Sequence, residues 1–285
     1  MADKQLLLGD EAVALGALHA GLSGVYAYPG TPSTEITEYI QGHPLTKERH
    51  VHDQWTANEK TAMEGALGMS YAGKRALVCM KHVGMNVCAD PFMGSAVTGA
   101  NGGLVVAARR APPPHSSPHQ QESPFSGGAS CDDPSMHSSQ NEQDSRFWGT
   151  FALVPVFEPS SQQEAYEMMR SAFEYSERRG IPVLMRLTTR LSHSRAAVAC
   201  VDDAEAVPQN TLRLPANERQ WCTLPVNARV RYKQLIKDYA QFEEDAVASP
   251  FNRLQDGPDK SLGIIACGIG YNYLMENYPD GRPHP

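Results

Sequence analysis

Five stretches of this chain gather residues that could handle carboxylates, carbonyls and protons. In Tyr28-Pro29-Gly30-Thr31-Pro32-Ser33-Thr34-Glu35, a hydroxyl at Thr31 stands among residues that favour tight turns, where it could hydrogen-bond a 2-oxo acid. Turn geometry alone would also select the prolines, glycine and serine. Asn58-Glu59-Lys60 opens a helical pattern, and a first-turn carboxylate is favoured there by the helix dipole alone. A catalytic Glu59 would instead have to be buried against a nitrogen heterocycle with which it exchanges protons. Lys81-His82-Val83-Gly84-Met85-Asn86 brings an imidazole into a loop, where His82 is either a proton carrier or a structural histidine. Asp132–Glu142, with His137 and Ser138, is dense in hydroxyl, amide and imidazole groups. It reads as a carboxylate-orienting loop or as a solvated one. Arg186, Arg190 and Arg195 suit either a subunit contact or a carboxylate clamp.

These stretches fall at the joints of a strand–helix alternation. A helix over Asp10–Gly21, with Asp10 as N-cap and Gly21 as stop, leads to a strand at Val25–Tyr28. Ser33 is placed to cap the next helix. Helices follow at Ala57–Tyr71, Val87–Thr98 and Gln162–Arg178, the last opened by Ser161 and Glu164 at capping-box spacing. Strands are expected at Arg75–Met80, Gly103–Ala107, Ala152–Val156 and Pro182–Leu187. Such alternation predicts an α/β fold with a mostly parallel sheet and helices on both faces, and ligands gather at the carboxyl ends of such strands. Residues 196–260 are polar and interrupted by proline, so they read as a linker, with a helix at Arg229–Asp245. Residues 261–285 read as the truncated start of a second α/β domain, with a strand at Ser261–Cys267 and a helix at Tyr271–Asn277.

Composition narrows the function class. The 285 residues are 41% hydrophobic with a net charge of -7, enough for a substantial core and unsuited to nucleic acid or an anionic membrane surface. No apolar run approaches the roughly 20 residues of a membrane span, and the first residues lack a signal-peptide pattern, so a cytoplasmic location is expected. The six cysteines are scattered without a Cys-x-x-Cys spacing, so no metal or cluster ligands are assigned to this chain.

Taken in order, Tyr28–Ile36, Asn58–Lys60 with Ser70-Tyr71-Ala72-Gly73, Lys81–Pro91, Asp132–Arg146 and Arg186–Arg195 resemble the first domain of the indolepyruvate ferredoxin oxidoreductase large (alpha) subunit, in the 2-oxo acid:ferredoxin oxidoreductase superfamily. A weaker resemblance resumes from Arg231 to Tyr278. The resemblance implies that residues 1–195 form a domain binding the aminopyrimidine of thiamine diphosphate, with Glu59 as the catalytic carboxylate on ring nitrogen N1′. The cofactor would also meet Tyr28, Pro29, Gly84 and Asn86, and the substrate would meet Thr31, His82, His137 and Ser138. The implied reaction is oxidative decarboxylation of indolepyruvate and other aryl pyruvates, with coenzyme A taking the acyl group and ferredoxin the electrons. A small beta subunit is the implied partner.

Two departures from the family pattern bear on that expectation. Residues 108–131 form an atypical insert, in which His115–Ser123 echoes His137–Ser145 at an offset of 22 residues, and it is expected to be a poorly ordered excursion. The segments holding magnesium with the diphosphate, and the 4Fe-4S clusters, are expected outside this chain, leaving it an incomplete enzyme inactive alone. A different 2-oxo acid ferredoxin oxidoreductase, or a non-catalytic α/β module, are the alternative readings.

Overall fold

A computed structural model of the chain describes residues 3–30, 33–109, 141, 143–215, 219–256 and 260–278. In chain order the elements are β1 (Asp3–Leu8), α1 (Gly9–His19), β2 (Gly24–Ala27), α2 (Thr34–Gly42), α3 (Pro44–Glu48), β3 (His52–Trp55), α4 (Glu59–Tyr71), β4 (Ala76–Lys81), α5 (Gly84–Val87), α6 (Ala89–Thr98), β5 (Leu104–Arg109), α7 (Arg146–Ala152), β6 (Val156–Phe157), α8 (Gln162–Arg179), β7 (Val183–Arg186), α9 (Thr189–His193), β8 (Arg195–Cys200), α10 (Pro225–Val247) and α11 (Ile269–Asn277).

Six strands form one sheet in the order β3-β2-β4-β5-β7-β6, and every pair in it is parallel. Its central strands are unbroken apolar runs rather than alternating ones, because helices cover both faces. Ala76–Met80 and Val183–Met185 are fully buried. Helices α1, α2 and α8 pack together as one layer, and α4, α6, α7 and α10 as the other. A second sheet pairs β1 with β8, antiparallel, from Asp3 opposite Cys200 to Leu8 opposite Arg195. None of the helices among the described residues is long and apolar enough to cross a membrane.

The expected α/β architecture is the one observed, and several local expectations are corrected. Helix α1 is capped at Leu8, whose N–H donates to the Glu11 carboxylate at 2.8 Å, and Asp10 lies inside the first turn. Gly21 does take the left-handed conformation expected after that helix, with φ 73°. Ser33 does not cap α2 with its side chain. Its hydroxyl instead donates to the Gly30 carbonyl at 2.8 Å, closing the turn after β2. The expected strand at Ala152–Val156 shortens to Val156–Phe157, because α7 runs to Ala152 and Leu153 turns left-handed at φ 58°. The tryptophan of that helix packs edge-on against Phe92 at 6.5 Å, which favours the helical turn. Ser261–Cys267 forms no strand, since no neighbour among the described residues pairs with it. Residues 110–140, most of the proposed insert, lie outside the described residues.

After β8 the chain runs as an extended strap across the amino-terminal ends of the central strands. Val207 N–H donates to the His19 carbonyl at 2.9 Å, and Gln209 donates to the carbonyls of Leu22 and Arg49 at 2.9 and 3.0 Å. Further along, Asn210 reaches the Gly73 carbonyl at 3.2 Å, while Arg213 N–H donates to Ala72 at 2.8 Å and its carbonyl accepts from Asn101 at 2.7 Å. These bonds satisfy backbone groups in the turns leading into β2, β3 and β4. The strap therefore ties down the end of the sheet opposite the carboxyl ends.

Candidate functional site

In the parallel sheet the chain leaves β2 toward the β3 edge and leaves β4 toward β5, on the other side. The carboxyl ends of β2 and β4 thus flank a topological switch point, where the loops on either side diverge and leave a crevice. Three loops meet there. The turn after β2 and the turn after β4 approach so closely that a Cβ on Gly30 would lie 3.6 Å from Lys81 Cβ. The loop after β3 is tied to the same place, because Thr56 donates from both its N–H and its hydroxyl to the Ala27 carbonyl, at 2.8 and 3.1 Å.

That third loop delivers Glu59. Asn58 holds an extended backbone at φ -166° and accepts from Thr61 N–H at 2.9 Å, so the cap of α4 is made by Asn58 and the Glu59 side chain is left free of it. Glu59 is only 9% exposed. Among the described residues no hydrogen bond or ion pair engages its carboxylate. Against it lies Gly84, the first residue of α5, where a Cβ would fall 2.6 to 2.9 Å from Glu59 Cγ, Oε1 and Cδ. Only glycine leaves this carboxyl in place. Behind the pair lies a sulfur-lined floor, in which Cys88 Sγ sits 3.3 Å from Met80 Sδ and 3.9 Å from Met85 Sδ. Burial, with help from the Glu59 charge, pushes the Cys88 thiol up to about 12, so it is a neutral apolar backing and not a nucleophile.

The neighbours singled out from the sequence divide into three groups. Tyr28, Pro29 and Asn86 are exposed on the loops around Glu59, and Gly84 touches it directly. His82 is fully buried, and its Nε2–H donates to the Asn141 carbonyl at 3.2 Å, so its ring braces the loop that follows Ser138 in sequence. Thr31, His137 and Ser138 lie outside the described residues. Lys60, beside Glu59, points outward and bridges α4 to α6 through Asp90 at 2.9 Å.

The three arginines do not converge. Arg190 donates to Tyr273 Oη at 2.8 Å and lies over its ring, and Arg195 reaches Glu11 only at 3.7 Å. Arg186, at the end of β7, is fully buried and pairs with Glu158, which follows β6. Burial pushes the Glu158 carboxyl up, against the pull of Arg186 and Arg146. Nearby, burial opposes ionisation of Asp144, yet the Arg146 guanidinium, bonded to it at 2.5 to 3.0 Å, holds its carboxyl below the usual range. Gly268 packs on the Glu158 carboxylate, and Asn272 donates to the Ser160 carbonyl at 2.6 Å, so this charge cluster docks the segment that begins α11 onto the strand ends. Sequence reading missed Glu158 and Asp144. For Glu158 the signal available was a carboxylate directly after an apolar strand, opposite the arginine that ends its neighbour.

No known family pattern matches the chain. Individual relatives do. It is 39% identical over 277 residues to the indolepyruvate oxidoreductase subunit IorA of Pyrococcus horikoshii, a match covering 96% of this chain and 39% of that protein. It is 40% identical over 279 residues to IorA of Archaeoglobus fulgidus, covering 96% of this chain and 40% of that one. The 2-oxoglutarate synthase subunit KorA of Methanocaldococcus jannaschii is 28% identical over 205 residues, 71% of this chain and 50% of its own. The chain therefore spans about two fifths of the length of the IorA relatives it matches. In structure it is similar to a 2-oxoglutarate:ferredoxin oxidoreductase from Magnetococcus marinus, with a TM-score of 0.65 at 16% identity, covering 97% of this chain and 52% of that one. That likeness is one of fold.

Proposed function

The chain belongs with the indolepyruvate oxidoreductase IorA subunits of the 2-oxo acid:ferredoxin oxidoreductase superfamily, and from that kinship we propose that it supplies the pyrimidine-binding half of a thiamine-diphosphate site for oxidative decarboxylation of indolepyruvate. The observation that carries this reading is Glu59, a buried carboxylate without a partner among the described residues, at the switch-point crevice, with glycine kept clear beside it. An aminopyrimidine fits such a cradle, since its ring nitrogen N1′ offers the hydrogen-bond partner that the carboxylate lacks. Thiamine diphosphate, when bound, supplies the electron sink for loss of carbon dioxide.

In this reading Glu59 holds a proton at N1′, and the apolar sulfur floor keeps water from the back of its carboxyl. Tyr28 and Pro29 border the ring from the turn after β2, and Asn86 offers an exposed amide from α5. Thr31, His82, His137 and Ser138 are assigned to the 2-oxo acid. Residues 1–195 act as the pyrimidine-binding unit, 196–260 as a linker and 261–285 as the start of a further α/β unit. Magnesium with the diphosphate, and 4Fe-4S clusters, are assigned to the portion that the relatives carry outside the match. The small beta subunit, ferredoxin and coenzyme A complete the assembly, in the cytoplasm.

The test is an anaerobic assay of the chain supplemented with that remaining portion and the beta subunit, given coenzyme A, magnesium, thiamine diphosphate and ferredoxin. Indolepyruvate should support ferredoxin reduction and yield the aryl-acetyl thioester, while 2-oxoglutarate should not. A preference for 2-oxoglutarate would move the substrate to that of the KorA relatives. No cofactor binding at all would leave only the non-catalytic module.

Gly84→Ala gives an independent check. The new methyl group would overlap the Glu59 side chain, while alanine suits the helical backbone of α5 better than glycine does. The variant should therefore fold with its melting temperature little changed and bind thiamine diphosphate at least about tenfold more weakly, a loss of ~1.4 kcal/mol. Calorimetric titration of the supplemented protein measures this, and unchanged affinity would remove Gly84 from the site.

A further inference from the structure

The crevice between β2 and β4 has two walls, and Glu59 occupies one of them. Along β4 successive side chains alternate between the faces of the sheet. Met80 turns toward α5 and α6, where its sulfur meets Cys88 Sγ at 3.3 Å, and Cys88 in turn feels the Glu59 charge. Cys79 and Lys81 turn the other way, and Cys79 lies beside Thr37 of α2. Glu59 and Lys81 therefore stand on opposite sides of the same strand end.

Lys81 is half-buried and firmly based. The last residue pair joining β2 to β4 is Ala27 with Cys79, so Lys81 stands two residues, about 6 to 7 Å, beyond the end of that pairing. There its Cβ faces the Gly30 turn, where an added Cβ would lie 3.6 Å away. The turn is itself held: the Gly30 carbonyl accepts from the Ser33 N–H at 3.0 Å and the Ser33 hydroxyl at 2.8 Å, while the Gly30 N–H donates to the Thr34 hydroxyl at 3.2 Å. Lys60, the other lysine at these strand ends, is committed to Asp90 and Glu64 on the outside. Lys81 thus brings a positive charge to the α2 wall of the crevice, beside the glycine that Thr31 follows in sequence.

We propose that Lys81 binds the carboxylate of the 2-oxo acid and so selects substrates that carry that charge next to the reacting carbonyl. The inference rests on the proposed function, in which the cofactor ring lies on the Glu59 side of β4 and the side shared by Gly30 and Lys81 is left to the substrate. Lysine suits the task, because its ammonium is a compact point charge on a flexible stem and needs no planar, two-pronged partner. The carboxylate it holds is also the group that leaves as carbon dioxide. A charge on that group stabilises the intact acid and gains nothing as the bond to carbon breaks, so Lys81 strengthens binding without speeding the bound complex.

Steady-state kinetics of the supplemented protein with indolepyruvate test the assignment. Lys81→Met should raise KM at least about tenfold with kcat changed far less, while thiamine diphosphate affinity and melting temperature stay close to the parent values. Lys81→Arg, which keeps the charge, should recover most of the loss. Indolepropionate and its primary amide, used as competitive inhibitors, separate charge from packing: the parent should favour the acid by at least about tenfold, and Lys81→Met should bind the two alike. Should the methionine variant fail to fold, Lys81→Gln, which keeps a polar head, takes its place in every comparison. An unchanged KM, a loss confined to kcat, or an acid preference that survives removal of the charge would overturn the role of Lys81 and leave Glu59 in place. A parent protein that binds no thiamine diphosphate would remove the Glu59 site, and this inference with it.

Discussion

Glu59→Gln should slow exchange of the thiazolium C2 proton of bound thiamine diphosphate by about 10²- to 10⁴-fold, the range that a positioned acid–base group supplies. The fold should survive. Asn58, not Glu59, caps α4 through the Thr61 N–H, so glutamine removes only a favourable charge–dipole interaction of about 0.3 to 1 kcal/mol. The amide nearly matches the carboxyl in shape and therefore respects the tight approach of Gly84. What it cannot do is share a proton with N1′. The measurement is hydrogen–deuterium exchange at C2, followed by nuclear magnetic resonance, in the chain supplemented with the portion that holds the diphosphate. Glu64→Gln serves as the control, because Glu64 is exposed one turn further along α4 and reaches only Lys60, at 3.8 Å. Near-normal exchange in the Glu59 variant, or equal losses in both, would remove Glu59 from the chemistry.

Arg75→Met should cost about 3 kcal/mol of stability at neutral pH, because it strands a carboxylate in a largely buried network, and should lower the melting temperature by roughly 6 to 12 °C. Arg75 donates to both oxygens of Glu177, at 2.9 and 2.6 Å, and to the Ala20 carbonyl at 2.5 Å. The same carboxylate accepts from Gly103 N–H at 3.2 Å and from Asn210 at 2.5 Å. One acid thus fastens α8, the start of β5 and the strap. Burial alone would raise the Glu177 pKa, but Arg75, Asn210 and the Gly103 N–H together hold it below the ordinary carboxylate value. A carboxyl lowered on folding stabilises the protein above its unfolded pKa and loses that contribution as pH falls through the folded value. The parent chain should therefore lose stability steeply in acid, and Arg75→Met should flatten that dependence. Denaturant titrations at neutral and acidic pH measure both effects. A neutral-pH loss under about 1 kcal/mol would mean that the network is solvated and dispensable.

The central strands and α8 were legible because their signals are local. Leu77–Met80 and Val183–Met185 are apolar runs buried by helices on both sides, and Ser161 accepts from Glu164 N–H at 3.2 Å as its spacing suggests. Strand β3 was not legible. His52-Asp53-Gln54-Trp55 forms a sheet edge with its first three side chains exposed, so it has no apolar pattern to read. Strands β1 and β8 pair although most of the α/β unit lies between them in sequence, so neither announces its partner. At the site, Glu59 stood out by its motif, but its contact with Gly84 depends on loops converging at the switch point. The buried Arg186 and Glu158 pair was hidden for the same reason. A sequence gives each charge alone, and only the parallel alignment of β6 and β7 brings them together.

The antiparallel pairing of Asp3–Leu8 with Arg195–Cys200 has a consequence for synthesis. A ribosome adding roughly 5 to 20 residues per second needs about 10 to 40 s after β1 emerges before β8 follows. Throughout that interval Leu6, Leu7 and Leu8 belong to a strand with an unsatisfied edge on a nascent chain, the kind of surface that recruits holding chaperones or joins a neighbouring polypeptide. Slowing translation downstream of β7 would prolong this exposure, and covering the amino-terminal strand with a cleavable soluble fusion would shorten the list of partners it can find.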